Sequence, residues 1–520
     1  MNSRDGKKYF RRVDWTAATA TAVLLILSFP NFEFSALAWI ALVPLMWAIV
    51  NRPSPRRAFL LGWVAGSIFF YGSCYWLTYS MINYGGLPRI LAYLLLAPAT
   101  IVVGLFPGVF ALILAIAVKR WGYAAVLVAP VVWPALEWAR LGVTGQLWNA
   151  LGYSQAYHVN LIQSANWGGV YAVSFLIVSI NAAIALAIVK PRVWTIVTAL
   201  VVAVFIGNLI SLSSGLAASR HSDVNSPTLQ VVALQPNVPM SLVKSSEEIS
   251  ELRERHLRLS QQGLAKLRDV SASRLVVWPE SPMNFTYASD KAFQDWVAQF
   301  ARDNRTALVF NSLEPAGPDA YYNSALLVNE DGRMIAQYDK IRLMPFGEYV
   351  PLPQWLPGTS LINTIVGEFT PGEKYTVMPV GDYRVGVFIC IESAYPWIPR
   401  RLTNEQADVL INISNDGYLG PTAVMRQHLA NAIFRAVENG RPVLRVTNSG
   451  VSAFINEFGA LNDQTTGFQE NVRNWAVTKL QTKNTIYTRR GDLFVQICAA
   501  LTAIILAVAV FPRGRSLRDS

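Results

Sequence analysis

Five stretches of the chain contain no Asp, Glu, Lys or Arg: Ala58–Pro88, Ile90–Val118, Leu141–Val189, Val193–Ser219 and Leu493–Pro512. Apolar runs of this length read as membrane helices, because about 20 helical residues cross the hydrocarbon core. Together with shorter apolar segments near the start, the pattern predicts eight spans, at 12–29, 33–50, 58–79, 89–118, 122–140, 161–189, 193–212 and 493–511. Pro30, Pro53, Pro88 and Pro191 fall at the joints, where helix breakers belong. Between 213 and 492 the pattern changes. Leu229–Leu234, Leu275–Trp278, Ala307–Phe310, Ala325–Val328, Val385–Ile389, Val409–Ile413 and Val443–Val446 are short, apolar and mostly β-branched, and read as strands. Glu247–Arg268, Asp290–Asp303 and Thr422–Asn439 read as helices. In the first of these, Ile249, Leu252, Leu257, Leu264 and Leu267 fit one helical face. The pattern therefore divides the chain into a seven-span membrane domain at 1–212, an α/β domain at 213–492, and an eighth span with its tail at 493–520.

Composition sharpens this. Of 520 residues, 52% are hydrophobic and 15% charged, against about 25% charged in soluble domains. The net charge of +11 suggests a nucleic-acid partner, but its distribution excludes one. Residues 220–492 hold 27 Lys+Arg and 28 Asp+Glu, a net of −1. The excess sits beside the spans. Arg4, Lys7, Lys8, Arg11 and Arg12, then Arg52, Arg56 and Arg57, then Lys119 and Arg120, then Lys190 and Arg192, then Arg513, Arg515 and Arg518 occupy alternate loops. Loops retained in the cytoplasm carry such a bias. Both termini are thus expected in the cytoplasm, and the α/β domain on the opposite face of a bacterial inner membrane, in the periplasm. The basic head and first apolar run resemble a signal peptide. No small-x-small cleavage site follows Pro30, so an uncleaved anchor is expected.

Three positions in the α/β domain invite chemistry. Cys390 ends the apolar run Val385–Ile389, at a strand end where a group is held rigidly and stays accessible. A buried structural cysteine gives the same local pattern. Glu280, in Trp278-Pro279-Glu280-Ser281-Pro282, follows another strand between two prolines, and the apolar Trp278 beside it is expected to raise its pKa; a solvated loop glutamate fits too. Lys340 stands in Tyr338-Asp339-Lys340-Ile341-Arg342-Leu343-Met344-Pro345-Phe346-Gly347-Glu348-Tyr349-Val350-Pro351, where a surface charge pair is the plain alternative. Together they are stronger. A thiol needs a base to become a nucleophile, and its tetrahedral intermediate needs a cationic or N–H donor. The histidines of the domain are His221, His256 and His428; a Cys–His pair with His428 is the weaker rival. No His, Cys and Asp cluster has metal spacing, and no metal or other cofactor is expected.

The ordered set Trp-Pro-Glu, Lys-x-x-Leu-x-Pro-Phe-Gly-Glu-Tyr-x-Pro and Cys-x-Glu resembles the nitrilase superfamily of carbon–nitrogen hydrolases. With the spans around it, the whole chain resembles the apolipoprotein N-acyltransferase family. The likeness extends to Leu147–Ser154, Ser414–Gly420 and Arg435–Pro442. The resemblance implies an integral membrane α-helical bundle joined to a nitrilase-like αββα sandwich. It implies Glu280 as general base, Cys390 as nucleophile and Lys340 as stabiliser of the tetrahedral intermediate, with Glu348 and Glu392 supporting the site. The chain departs from the family pattern at three points: Arg342 stands where His is frequent, Ile391 where Tyr is frequent, and Lys244 near an expected aromatic.

The activity so implied is a ping-pong acyl transfer. A membrane phospholipid acylates Cys390, with Lys340 and the backbone N–H of Ile391 holding the oxyanion, and the N-terminal cysteine of a diacylated apolipoprotein then takes the acyl group. The expected partners are these two substrates and the lipid bilayer, with the enzyme a monomer and no nucleic acid bound. The long segment Leu352–Phe369 carries Trp355, Leu361 and Ile362 and is expected to form an apolar lid facing lipid; ordinary domain core is the other reading. A membrane-tethered amidase acting on small amides is the alternative activity. A transporter with an accessory domain is disfavoured, because the spans hold few ionisable residues, chiefly Glu137 and Arg140 near one end.

Overall fold

The structure, a computed structural model, describes residues 10–145, 147–219, 228–240, 245–267, 272–280, 282–283, 285–318, 320–345, 347–349, 369–480 and 484–511. The chain divides into two compact units: Met1–Leu212 with Arg490–Ser520, and Ser213–Arg489.

In the first unit, five helices among the described residues are long and apolar enough to cross a membrane: Arg89–Trp121, Tyr123–Thr144, Ala165–Val189, Pro191–Ser211 and Leu493–Val510. A sixth is reached if Pro55–Ser73 and Leu77–Asn83, bent by 51° at their break, form one span. The first two expected spans give shorter helices. Arg12–Ser28 has 17 residues and stops before Pro30; Ser35–Asn51 is a short apolar helix that starts as a 3-10 turn, Ser35–Trp39. Among the described residues, length and composition thus identify five or six of the eight expected spans. Small residues let two helices meet closely. A Cβ on Gly62 would lie 2.4 Å from the carbonyl oxygen of Pro107, and one on Gly66 2.7 Å from Pro107 Cγ, so Pro55–Ser73 lies backbone-close on Arg89–Trp121. The buried Arg57 is ion-paired with the buried Asp14 and also donates to the carbonyls of Ala48 and Arg52. The charge placed in an apolar unit is in this way neutralised and hydrogen-bonded.

The second unit is a four-layer α/β sandwich. The first sheet has the order β12-β1-β2-β3-β4-β5, from β1 (Thr228–Gln235), β2 (Ser273–Val277), β3 (Ala307–Pro315), β4 (Tyr321–Val328), β5 (Met334–Asp339) and β12 (Asn471–Thr478). The second has the order β11-β10-β9-β8-β7-β6, from β6 (Val377–Val380), β7 (Tyr383–Ile389), β8 (Val409–Ser414), β9 (Val443–Thr447), β10 (Ala453–Ile455) and β11 (Leu461–Gln464). Strands β1 to β3 run parallel, as do β7 to β9.

Alternation along each strand fills two cores. Leu229, Val231 and Ala233 of the first sheet meet Val385, Val387, Ile389, Ile411 and Ile413 of the second between the sheets. Val232, Leu234, Val276 and Phe310 face outward onto Leu252 and Leu259 of helix Ser246–Leu264, and onto Phe293 and Val297 of helix Lys291–Asn304. Each such side chain contributes about 1.5–3 kcal/mol by leaving water. Burial on both faces explains why these strands appear in the sequence as unbroken apolar runs. Helices Trp397–Asn404 and Val424–Asn439 bury Ile398, Leu402, Leu429 and Ile433 on the second sheet's side. The outer helices begin on polar caps. Ser245 accepts from Glu248 N at 3.2 Å while Glu248 accepts from Ser245 N at 2.7 Å, and Asp290 accepts from Phe293 N at 2.9 Å.

Candidate active site

Three loops leave strand ends of the sandwich carrying the residues singled out above. Glu280 lies three residues beyond β2, Lys340 directly follows β5, and Cys390 directly follows β7. The thiol residue is half-buried and has φ 53°, a left-handed conformation that costs a non-glycine residue about 1–3 kcal/mol. It opens the short 3-10 turn Cys390–Ala394.

Lys340 and the carboxylates form one cluster. The side chain of Lys340 is 1% exposed, and its Nζ donates to Glu280 Oε1 at 3.2 Å and to Glu348 Oε1 at 3.0 Å, with Glu348 Oε2 at 2.9 Å. Burial alone pulls an ammonium pKa down. Here Glu280 and Glu348 outweigh burial and hold it well above the ordinary lysine value, so the cation is permanent. Among the described residues, both contacts of Glu280 fall on Oε1, from Lys340 and from Asn323 Nδ2 at 2.9 Å. Trp278 does not form its wall, contrary to expectation. The indole packs in the outer core against Phe285, Trp296 and Phe310, and donates to Ser260 Oγ at 3.0 Å. The polar Asn323 and Lys340 set the surroundings of Glu280 instead.

Cys390 lies within electrostatic reach of Glu280, Lys340 and Glu348. Burial and then the Glu280 charge push its thiol far up, and Lys340 pulls it only partly back. The resting group is therefore a neutral S–H, which needs a base before it can attack.

Glu392 is fully buried and holds the strand ends together. Its Oε1 accepts from Ile341 N at 2.7 Å and Arg342 N at 3.1 Å; its Oε2 accepts from Ile389 N at 2.7 Å and Tyr338 Oη at 2.9 Å. One carboxyl group thus fastens the loop that bears Lys340 to the strand that bears Cys390. Burial pushes its pKa up to about 7, against the pull of the Ile389 and Arg342 N–H groups. Glu348 accepts from Met344 N at 2.7 Å through Oε2, which curls its own loop around Lys340. Ile391 is buried beside the thiol in the same 3-10 turn. Arg342, at the position where His is frequent, puts its guanidinium 5.4 Å from the ring centre of Trp397 and 5.9 Å from that of Tyr395. Trp355, Leu361 and Ile362, expected in a lid, lie outside the described residues.

One contributor was not singled out in the sequence. Asn323, in β4, donates to Glu280 at 2.9 Å and to Glu348 at 2.7 Å, and accepts from Asn311 Nδ2 at 2.7 Å through its own Oδ1. Its backbone carbonyl accepts from Lys340 N at 2.8 Å. A buried Asn in an apolar strand was the available signal, since such an amide needs partners. Tyr338 opens the segment singled out with Lys340, and its hydroxyl reaches Glu392. His428, the rival partner for the thiol, brings Nε2 to 3.0 Å from the carbonyl oxygen of Cys390. Among the described residues no group of three or more His, Cys, Asp or Glu side chains is arranged to hold a metal ion.

Comparison with known proteins extends over both units. Residues 21–183 match the apolipoprotein N-acyltransferase N-terminal domain, and residues 231–487 match the carbon-nitrogen hydrolase family. A protein of Geobacter metallireducens named apolipoprotein N-acyltransferase is 33% identical over 507 residues, covering 96% of this chain and 95% of its own. One of the same name from Chlorobaculum tepidum is 26% identical over 522 residues, covering 94% and 95%. Among solved structures, an amidase from Nesterenkonia sp. AN1 is 19% identical, covering 52% of this chain and 99% of its own, with a TM-score of 0.37.

Proposed function

The chain belongs to the apolipoprotein N-acyltransferase family, and from that premise we propose how its residues carry out the transfer. The enzyme moves an acyl chain from a lipid donor to the N-terminal cysteine of an apolipoprotein, the last step of lipoprotein maturation, in the bacterial inner membrane. The observation that carries the reading is the buried Lys340, shared by Glu280 and Glu348 beside a thiol that rests protonated.

In the first half-reaction Glu280, through the Oε2 that Lys340 and Asn323 leave open, takes the proton from Cys390 Sγ. The sulfur attacks the ester carbonyl of a membrane phospholipid. Lys340 Nζ and the Ile391 N–H hold the oxyanion. When the intermediate collapses, the C–O bond breaks, Glu280 returns its proton to the leaving oxygen, and a lysophospholipid departs from a Cys390 thioester. In the second half, the α-amine of the diacylglyceryl-cysteine loses a proton to Glu280 and attacks the thioester. The C–S bond breaks, the sulfur recovers the proton, and an amide remains. The proton shuttles inside the cluster, so the net charge of a buried site stays constant. Glu348 and Glu392 hold Lys340 and its loop in place.

The remaining assignments complete the reading. Residues 1–212 form seven spans, 213–492 the catalytic domain in the periplasm, and 493–520 the eighth span with a cytoplasmic tail, with both termini in the cytoplasm and the enzyme a monomer. Each acyl CH₂ costs about 0.8 kcal/mol to expose to water, so a bilayer-bound catalyst avoids extracting either substrate. The tethered amidase is less supported, because the likeness to acyltransferases covers the membrane unit as well as the α/β unit. The test is transfer from phospholipid to a diacylated lipopeptide by Cys390→Ser. Inserted, folded protein without detectable transfer is expected; a fully active variant overturns the assignment.

A further inference from the structure

Beneath Cys390 lies a second buried cluster that the transfer mechanism has not used. Asn412 and Arg445 sit side by side on the parallel strands β8 and β9. Asp416 follows β8, and His428 projects from helix Val424–Asn439. None of the four is more than 3% exposed. Arg445 Nη1 donates to Asn412 Oδ1 at 2.5 Å, and Nη2 donates to Asp416 Oδ1 at 3.0 Å and Oδ2 at 2.9 Å. Nδ1 of His428 lies 2.9 Å from Asp416 Oδ1 and 3.0 Å from Arg445 Nη2. From this base two groups reach the same atom: His428 Nε2 at 3.0 Å and Asn412 Nδ2 at 3.3 Å both meet the carbonyl oxygen of Cys390.

The chemistry of the partners fixes the direction of these bonds. A carbonyl oxygen only accepts, so Nε2 of His428 carries a hydrogen. Nδ1 is satisfied in either state, by Asp416 when protonated and by Arg445 when bare. Two donors fill both lone pairs of the Cys390 carbonyl. The peptide unit is planar and trans, so fixing that oxygen also fixes the Ile391 N–H, which points the opposite way. Donors on the carbonyl polarise the amide and strengthen the N–H as a donor. Burying an Arg and an Asp is costly, and a hydrophobic filling often stabilises as much; a positional use accounts for the arrangement.

We propose that His428 and Asn412, locked by Arg445 and Asp416, are positioning residues for acyl transfer: they clamp the Cys390 carbonyl and so aim the Ile391 N–H at the oxyanion of both tetrahedral intermediates. This rests on Cys390 being the acyl-carrying nucleophile. The clamp also holds Cys390 in its left-handed conformation at the strand end.

The test compares two variants of similar shape in the full-length protein. His428→Gln keeps an N–H donor at the far end of the side chain; His428→Met removes it. Thioester formation from phospholipid is followed by intact mass, and the thioester carbonyl stretch by isotope-edited infrared difference spectroscopy with a ¹³C-carbonyl donor. In His428→Met the acylation rate at saturating phospholipid is expected to fall about tenfold, less than the 10²–10³ cost of removing an oxyanion donor outright. The KM should stay within about twofold, and the stretch should move to higher frequency as the N–H loses its aim. His428→Gln should recover most of the rate and the wild-type frequency. Equal losses in both variants, a raised KM at unchanged rate, or a folded His428→Met with wild-type rate and frequency each overturn the clamp. If His428→Met does not fold, Asn412→Ala carries the same two readouts, and wild-type values in that variant overturn it. If wild type itself takes up no acyl group, the nucleophile assignment fails first and the clamp falls with it.

Discussion

Lys340 is where the charge balance of the site turns. Its ammonium is buried between Glu280 and Glu348, and neither carboxylate would remain so closely paired without it. Glu392 is different: it is fully buried, and its partners are backbone N–H groups and a tyrosine hydroxyl. Its carboxyl is pushed up to about 7 from an ordinary 4.5. A group whose pKa rises on folding holds its proton longer when folded. Its contribution to stability is therefore fully present below the unfolded value and is lost as the pH climbs through about 7. Glu392→Gln removes that titration. The melting temperature of wild type minus that of Glu392→Gln, measured on the detergent-solubilised full chain, should fall between about pH 5 and pH 8. A difference that stays flat or rises would contradict the raised pKa.

At the scale of elements, the site exists because strands of both sheets end near one another and their loops are tied across the gap by Glu392, while Asn323 joins the Glu280 and Glu348 loops within the first sheet. The helix pair of the membrane unit obeys a similar rule of close approach. Gly62→Val would drive side-chain atoms into the Pro107 carbonyl and cost about 1–3 kcal/mol by overpacking, whereas Gly142→Ala meets open space and should be neutral or slightly stabilising. Thermal melts of the two variants should separate them; equal melting would refute the packing argument. Seven strands and three helices of the α/β unit were legible because burial on both faces writes strands as apolar runs, and amphipathic helices as periodic ones. β5 was not, since Met334 and Ile335 are exposed and the strand lies at a sheet edge. Nor was β12, whose Asn471, Arg473 and Asn474 interrupt the apolar pattern. The proposed triad was legible because Glu280, Lys340 and Cys390 sit in spaced motifs; Asn323 was not, because its place in the cluster lies in contacts across strands that no local spacing encodes.

For the whole molecule, charge distribution predicts sidedness. A cysteine introduced at Asp331, exposed in the turn between β4 and β5, should react with a membrane-impermeant maleimide in intact spheroplasts, and one at the exposed Arg56 should not. The reverse labelling would invert the topology. Both units serve one chemical event, the passage of an acyl chain through sulfur. The most direct measurement is the intact mass of the purified enzyme after incubation with phospholipid and no acceptor. The account predicts one added acyl group, removed by hydroxylamine and absent from Cys390→Ala; an acyl group that survives hydroxylamine, or that appears equally on Cys390→Ala, would contradict it.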